Sequence, residues 1–430
     1  MHGSRGVPLD ADEVFGEKLK EVTRSVNVAG ENEGKMEKVP KSEIEARISK
    51  FQSVLNKENL DGAFIIQNAD IFYFSGTVQI SVLFVPAKGI PILMVKKSYQ
   101  RTKDESPLQE IVPIRGEREI LSILGSYQYG RFEALGLEMD VLPANLYLWY
   151  QNNFPRSRWV DISHQIRRLR MIKSPYEVEQ IRKAARILDK GLTEIKGVIK
   201  EGITELEVDG YLALIARREG HMGVLRMRGW NQEMTYAHVL SGENGSIVSF
   251  CDTATGGTGN TPAVAQGAGF RRIGKNEPIG IDYGVGVNGY LADQFRTFVI
   301  GGLPEELEKA HECSKEIHEM LIEEGRPGVA CSHLYRLAED LAGKKGYMDY
   351  FMGHGEGRVK YIGHGIGLEI DEYPIISRYF TEELKEGMVI ALEPKFIFPG
   401  VGVVGLEDDY LVTPTGLKRL TLTDQVVMKV

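Results

Sequence analysis

The dipeptide Asn288-Gly289, set between two strand-like runs, constrains this 430-residue chain more than any other feature. Asn-Gly suits a two-residue hairpin turn because both positions need positive φ. Ile279-Gly280-Ile281-Asp282-Tyr283 precedes it, and Tyr290 to Ile300 follows it. If the two residues form the turn, Val287 faces Tyr290 and Gly284 faces Asp293. Side chains alternate along a strand, so Asp282 then shares a face with Asp293. Such diagonal neighbours lie roughly 7–8 Å apart at the backbone, and metals about 3.5–4 Å apart fit between their side chains. Ile281, Leu291 and Phe295 surround the pair, and an unpaired carboxylate is expensive to bury among them.

A second acidic pair has the same character. Met388 to Glu393 reads as a strand ending in an acid, and Val401 to Val412 as a strand containing Glu407. A three-residue loop at Pro399-Gly400 would set Phe398 opposite Gly402 and Glu393 opposite Glu407. A two-residue loop would put the acids on opposite faces. Asp408 and Asp409 read as a solvated strand end. His364 lies in Gly363-His364-Gly365-Ile366-Gly367, where small neighbours let the backbone pass close to a site that the imidazole can reach. His354 reads as a loop residue, and His311 and His318 as members of a solvated helix face. Asp282, Asp293, His364, Glu393 and Glu407 can together hold two divalent cations that share a water and lower its pKa. Oxygen-rich sites with one imidazole suit Mn, Co, Fe or Zn alike.

The length predicts two or three domains. A net charge of −8 without a basic tract argues against nucleic acid as a partner. No apolar run approaches the roughly 18 residues that span a bilayer, and no secretory apolar segment follows the N-terminus. Three cysteines without CxxC spacing fit reduced thiols of a cytoplasmic protein. Residues 1–40 are polar and read as a loosely docked extension. Residues 41–168 alternate helix and strand signals, among them an amphipathic helix over Glu43–Leu55 and a hairpin around Ala87-Lys88-Gly89. The basic segment Arg167–Lys173 carries little core and marks the boundary with residues 169–430. Ser174-Pro175-Tyr176-Glu177 and Thr204-Glu205-Leu206-Glu207 each open a helix with a capping box. Further helices are predicted near 304–324 and 332–344.

These contexts resemble the pita-bread metallopeptidase family, which includes methionine aminopeptidase, aminopeptidase P, prolidase and creatinase. The matching text is Ile281-Asp282-Tyr283-Gly284, Gly289-Tyr290-Leu291-Ala292-Asp293 with Arg296-Thr297-Phe298, Gly363-His364-Gly365-Ile366-Gly367-Leu368-Glu369, Glu393-Pro394 and Glu407-Asp408. The intervals fit the prolidase-like branch: 11 positions from Asp282 to Asp293, 29 from His364 to Glu393, and 14 from Glu393 to Glu407. The resemblance implies an α/β (α+β) fold. A creatinase-like N-terminal α/β domain would precede a pita-bread domain with a curved, mainly antiparallel sheet flanked by helices. It implies that Asp282 chelates one metal, Asp293 and Glu407 bridge both, and His364 and Glu393 complete the other shell. Glu393 would also shuttle the proton. The implied enzyme is an Xaa-Pro dipeptidase or aminopeptidase acting on small peptides, as a homodimer. The alternative is a creatinase-like amidinohydrolase or a lyase acting on a small molecule.

The chain departs from the family pattern at several positions. The stretch 241–269, where a Pro-His-aromatic motif is usual, has no histidine and contains the Thr/Gly-rich run 253–261, read as a flexible active-site loop or a plain connection. His-Glu-x-Pro is replaced by Asp371-Glu372-Tyr373-Pro374, so Asp371 becomes a candidate catalytic residue that could instead recognise a cationic amine. Leu406 stands where prolidases carry an arginine, and Lys395 where glycine is usual. Arg226, Arg228 and Lys395 are the candidates for substrate contact in place of the missing groups.

Overall fold

In the computed structural model, which describes residues 36–430, the strand signals of the first third become one six-stranded mixed sheet. The expected 1–40 extension lies outside the described residues except for its last five. The strands are β1 (Gly62–Ile65), β2 (Ser81–Pro86), β3 (Ile92–Val95), β4 (Glu110–Pro113), β5 (Ala134–Leu137) and β6 (Arg158–Asp161), in the spatial order β4-β3-β2-β1-β5-β6. β2 and β3 form the expected antiparallel hairpin. β1, β5 and β6 run parallel, which requires crossover connections. Helix Lys41–Lys57 buries Ile44, Ile48, Phe51 and Leu55, spaced to form one apolar stripe. Phe64, Phe84, Tyr150 and Phe154 make a separate aromatic core.

The basic segment behaves differently from its reading. Helix Ser163–Met171 buries Arg170 and Met171, and Lys173 is buried just beyond it. The reason is electrostatic: Arg170 meets Asp70 at 2.7 Å, Glu369 at 2.8 Å and Glu372 at 2.5 Å. Helices Pro175–Glu194 and Glu205–Arg218 begin with the predicted capping boxes at Ser174 and Thr204.

Residues beyond these helices build two sheets and a ribbon. The first sheet has the order β17-β9-β8-β7, from β7 (Ala237–Ser241), β8 (Ile279–Val287), β9 (Tyr290–Val299) and β17 (Met428–Lys429). The second has the order β11-β10-β12-β15-β16, from β10 (Tyr361–Gly365), β11 (Glu372–Ser377), β12 (Val389–Leu392), β15 (Asp408–Thr413) and β16 (Gly416–Arg419). β13 (Lys395–Phe398) and β14 (Gly402–Gly405) form the ribbon. Helix Pro175–Glu194 packs on β8 and β9, helix Cys331–Lys344 on β11, and helix Glu305–Glu324 on the ribbon and β16. That last helix buries His311 and His318, contrary to the solvated face expected for them. His318 is enclosed because its ring meets the Tyr410 hydroxyl at 3.0 Å and the Leu406 carbonyl at 3.2 Å. Burial pushes both imidazoles down to about 4, so they are neutral packing groups.

Candidate metal centre

Three local devices bring the five predicted ligands together. In the first, Asn288 and Gly289 adopt φ of 49° and 91°, and the β8-β9 ladder pairs Val287 with Tyr290 and Gly284 with Asp293, as the turn predicts. Asp282 and Asp293 therefore project from one face. In the second, Phe398 pairs with Gly402 in the ribbon and Leu392 with Asp408 in the sheet, which is the register of the three-residue loop. Glu393-Pro394 and Leu406-Glu407 lie between the two ladders, where the long hairpin leaves the sheet to become the ribbon. Glu407 there pairs with Phe295 of β9, which ties the two sheets together. In the third, β10 passes between β11 and β12 with His364 opposite Ala391. A Cβ on Gly363 would sit 2.2 Å from the Ala391 carbonyl oxygen, and one on Gly365 would sit 2.0 Å from that of Tyr373. The glycines beside His364 are thus required by close backbone approach.

The imidazole is oriented toward the acids. His364 Nδ1 lies 3.1 Å from the Gly365 carbonyl oxygen and 3.4 Å from Asp371 Oδ1, so Nδ1 keeps a proton and Nε2 is the nitrogen that would give up its own to ligate a metal. Nε2 lies 3.8 Å from Glu393 Oε1 and 3.9 Å from Glu407 Oε1. Asp293, His364 and Glu407 offer ligand atoms all within 4.8 Å of one another. Two carboxylates and an imidazole, with a third carboxylate alongside, fit an oxygen-preferring divalent cation.

Lys395 does not take the substrate-binding part expected of it. Its Nζ donates to Asp282 Oδ2 at 2.9 Å, Glu393 Oε2 at 2.8 Å and Glu407 Oε2 at 2.7 Å. An ammonium has three protons, and all three are used. The group is buried and lies 5.0 Å above the Phe295 ring. Gly405 faces it across the ribbon, where a Cβ would stand 2.9 Å from Lys395 Cα. Arg228 is also committed elsewhere, to Asp70 and Asp140, each at 2.7 Å. Arg226 is absent from the lining of the cleft, and Glu369 and Arg170 are the charges that act on it.

The electrostatics follow from crowding acids in low dielectric. Burial, then the Asp282 carboxylate, pushes Asp293 up to about 7. Burial also carries Glu407 well above the usual range, with Asp293 and Glu393 adding to it and Lys395 opposing. Burial disfavours the His364 imidazolium, but Asp371, Glu393 and Asp293 outweigh it and raise the group to about 9. Asp282 goes the other way: burial opposes its charge, yet Lys395 and then His238 hold it below the ordinary range. The ammonium itself loses by burial and gains more from Asp282, Glu393 and Glu407, so it remains charged.

Several participants escaped the sequence reading. Asp408 and Asp409, read as solvated, are fully buried. Asp408 receives Arg296 at 2.7 Å, and Asp409 Oδ2 accepts the backbone N–H of Asp293 at 3.0 Å. The Thr/Gly-rich stretch forms a wall of the centre. Thr255 is buried and donates its hydroxyl to Asp282 at 2.7 Å, while Asp252 and Thr253 line the cleft. His238, on β7 directly opposite Asp282, also lines the cleft and is held by Gln266 at 3.1 Å. The signal that could have found it is the apolar run Ala237-His238-Val239-Leu240, a strand ready to pair with the one carrying Asp282.

Comparison with known proteins identifies relatives of both parts of the chain. Residues 179–414 match the model of metallopeptidase family M24, and residues 47–172 match that of the creatinase/prolidase N-terminal domain. The Xaa-Pro dipeptidase of Pyrococcus furiosus is 29% identical over 388 residues, covering 90% of this chain and all of that protein. The crystal structure of the prolidase from Pyrococcus horikoshii OT3 superposes with a TM-score of 0.74 at 25% identity, covering 88% of this chain and 99% of the other. An Xaa-Pro dipeptidase from Bacillus anthracis shares the fold with a TM-score of 0.77 at 23% identity, covering 90% of this chain and all of the other.

Proposed function

The chain belongs to metallopeptidase family M24, and we propose that it is a metal-dependent exopeptidase that removes an amino-terminal residue preceding proline from short peptides. The observation that carries this reading is the convergence of Asp293, His364 and Glu407, with Glu393 Oε1 beside them, at the floor of a small cleft. A divalent ion held there would polarise both a water and the carbonyl to be cleaved. Glu393 has one oxygen committed to Lys395 and the other facing His364, and that second oxygen is placed to take a proton from water and return it to the leaving nitrogen. Burial raises the Asp371 carboxyl above its ordinary range, against the pull of His364.

The lining also bears on which end of the peptide is read. Among the described residues, no side chain with an uncommitted positive charge lines the cleft, and Leu406 is fully buried. Nothing there would clamp a free proline carboxylate, whereas Asp252 and Asp371 would accept the ammonium of a free amino end. Three unpaired cysteines, two of them buried, support a reducing compartment. Among the described residues no helix is long and apolar enough to cross a membrane. The small-molecule alternative gains no support from the relatives, which are named as peptidases or prolidases.

A panel of Xaa-Pro dipeptides, Xaa-Pro-Yaa tripeptides and their N-acetylated forms, each with and without added Mn, tests the reading. Mn-dependent turnover, faster on tripeptides and abolished by acetylation, is expected. Absence of turnover on every peptide by Mn-loaded protein would contradict it.

A further inference from the structure

We infer that the Lys395 ammonium permanently takes the place of one of two cations, so that the centre binds a single divalent ion on its imidazole side. The inference deepens the reading above and rests on the centre taking a metal at all. The carboxylates themselves give the argument. Glu393 and Glu407 each turn Oε2 to Lys395 and Oε1 toward His364 Nε2. Each acid thus reaches two positions, as a carboxylate bridging a cation pair does. One position is filled by Nζ, at 2.7–2.9 Å from three carboxylates. The other is the place where Asp293, His364 and Glu407 converge. Asp282 joins the first position through its Oδ2, which receives both Lys395 and Thr255.

A second divalent ion does not fit beside the ammonium. It would need the oxygens that Lys395 holds, and it would bring two positive charges to hydrogen-bonding distance of a third. Nor is the lysine free to swing away cheaply. It is fully buried, starts a strand of the ribbon, and stands between the Phe295 ring and the acids. The exchange has a chemical consequence. Four ligand carboxylates with two divalent ions are neutral, whereas the same acids with one divalent ion and one ammonium carry one net negative charge. An ammonium with all its protons donated also offers no open coordination position. This centre therefore has one Lewis-acid position in place of two, while the lysine holds Asp282, Glu393 and Glu407 in place before any metal arrives.

The test is Mn stoichiometry, read by elemental analysis after MnCl₂ titration and gel filtration, with the electron paramagnetic resonance spectrum of the bound Mn as a second readout. Wild-type protein is expected to saturate at one Mn per chain with the six-line spectrum of an isolated ion. Lys395→Ala or Lys395→Gly, purified in MnCl₂, is expected to saturate at two and to show a spin-coupled pair. Two ions in the wild type, or an unchanged count in a folded variant, overturns the inference. The wild-type count decides on its own if neither variant folds. Peptide turnover is scored separately. One ion without turnover sinks the exopeptidase reading and leaves this one standing, and two ions with turnover does the reverse.

Discussion

Where the first sheet meets the second half of the chain, Arg170, Lys173 and Arg228 meet Asp70, Asp140, Glu369 and Glu372, and Arg226 lies within reach of Glu369. A fifth acid, Glu138, is driven toward its neutral form by burial and by Asp70. Charges there balance. In the metal centre, Lys395 and His364 face five acids: Asp282, Asp293, Asp371, Glu393 and Glu407. Both clusters are buried, so both pay desolvation. The junction recovers it within the chain and serves as a fastening. The centre cannot: it holds three acids more than it has cations, and Asp293 and Glu407 are driven toward their neutral forms until a cation from solution meets them. What separates a structural cluster of buried charge from a functional one in this protein is the sign left over.

That contrast predicts opposite responses to removing a charge. Arg170→Ala strips Asp70, Glu369 and Glu372 of their shared partner, and a loss of about 3–5 kcal/mol in unfolding free energy is expected. Chemical denaturation measures it. Asp293→Asn relieves repulsion at the centre and should leave the metal-free protein as stable or more stable, while abolishing Mn uptake. Equal destabilisation by the two changes would break the comparison.

Ligand linkage sharpens it. Mn at 100 times its Kd should stabilise the wild type by about 2.7 kcal/mol, visible as a rise in Tm. Asp293→Asn should show no such rise.

Acid provides a third contrast. Asp70 is held down to about 2 by Arg170 and Arg228 against the opposing effect of burial, and Glu372 to about 2 by Arg170 and Lys173. A carboxylate depressed in the folded state contributes stability that is present above its unfolded pKa and lost as pH falls through the folded one. The junction should therefore hold to about pH 4 and fail progressively toward pH 2. Asp293, raised to about 7, has the opposite sign: metal-free protein should lose stability as pH rises from about 4 to 7. Melting curves across pH with and without Arg170 separate the two. The smallest effect is expected at Thr255→Val, which removes one hydrogen bond from Asp282. About 0.5–1.5 kcal/mol of stability should be lost, with Lys395 still holding the carboxylate.

Much of the centre was legible in the sequence because hairpin register is local information. Asn288-Gly289 and the loop at Pro399-Gly400 set which residues face each other, and both registers came out as the turn chemistry requires. The glycines around His364 marked a close backbone approach, and the capping boxes at Ser174 and Thr204 marked helix starts. The readings that failed depended on long-range partners. Arg228 reads as an available cation until Asp70 and Asp140 are brought beside it. Asp408 reads as solvated until Arg296 arrives from β9. Lys395 stands out as a departure from glycine, but its length points the same way whether it reaches for a substrate or fills a cation's place. The positions of three carboxylates, one within β8 and two where the long hairpin leaves the second sheet, decide that, and no local pattern encodes them.

The most direct test is anomalous diffraction at the Mn absorption edge from crystals soaked in MnCl₂. The account predicts a single peak enclosed by Asp293, His364, Glu393 and Glu407, with Lys395 Nζ still donating to Asp282. A peak in the lysine's place, or none anywhere in the cleft, would contradict it.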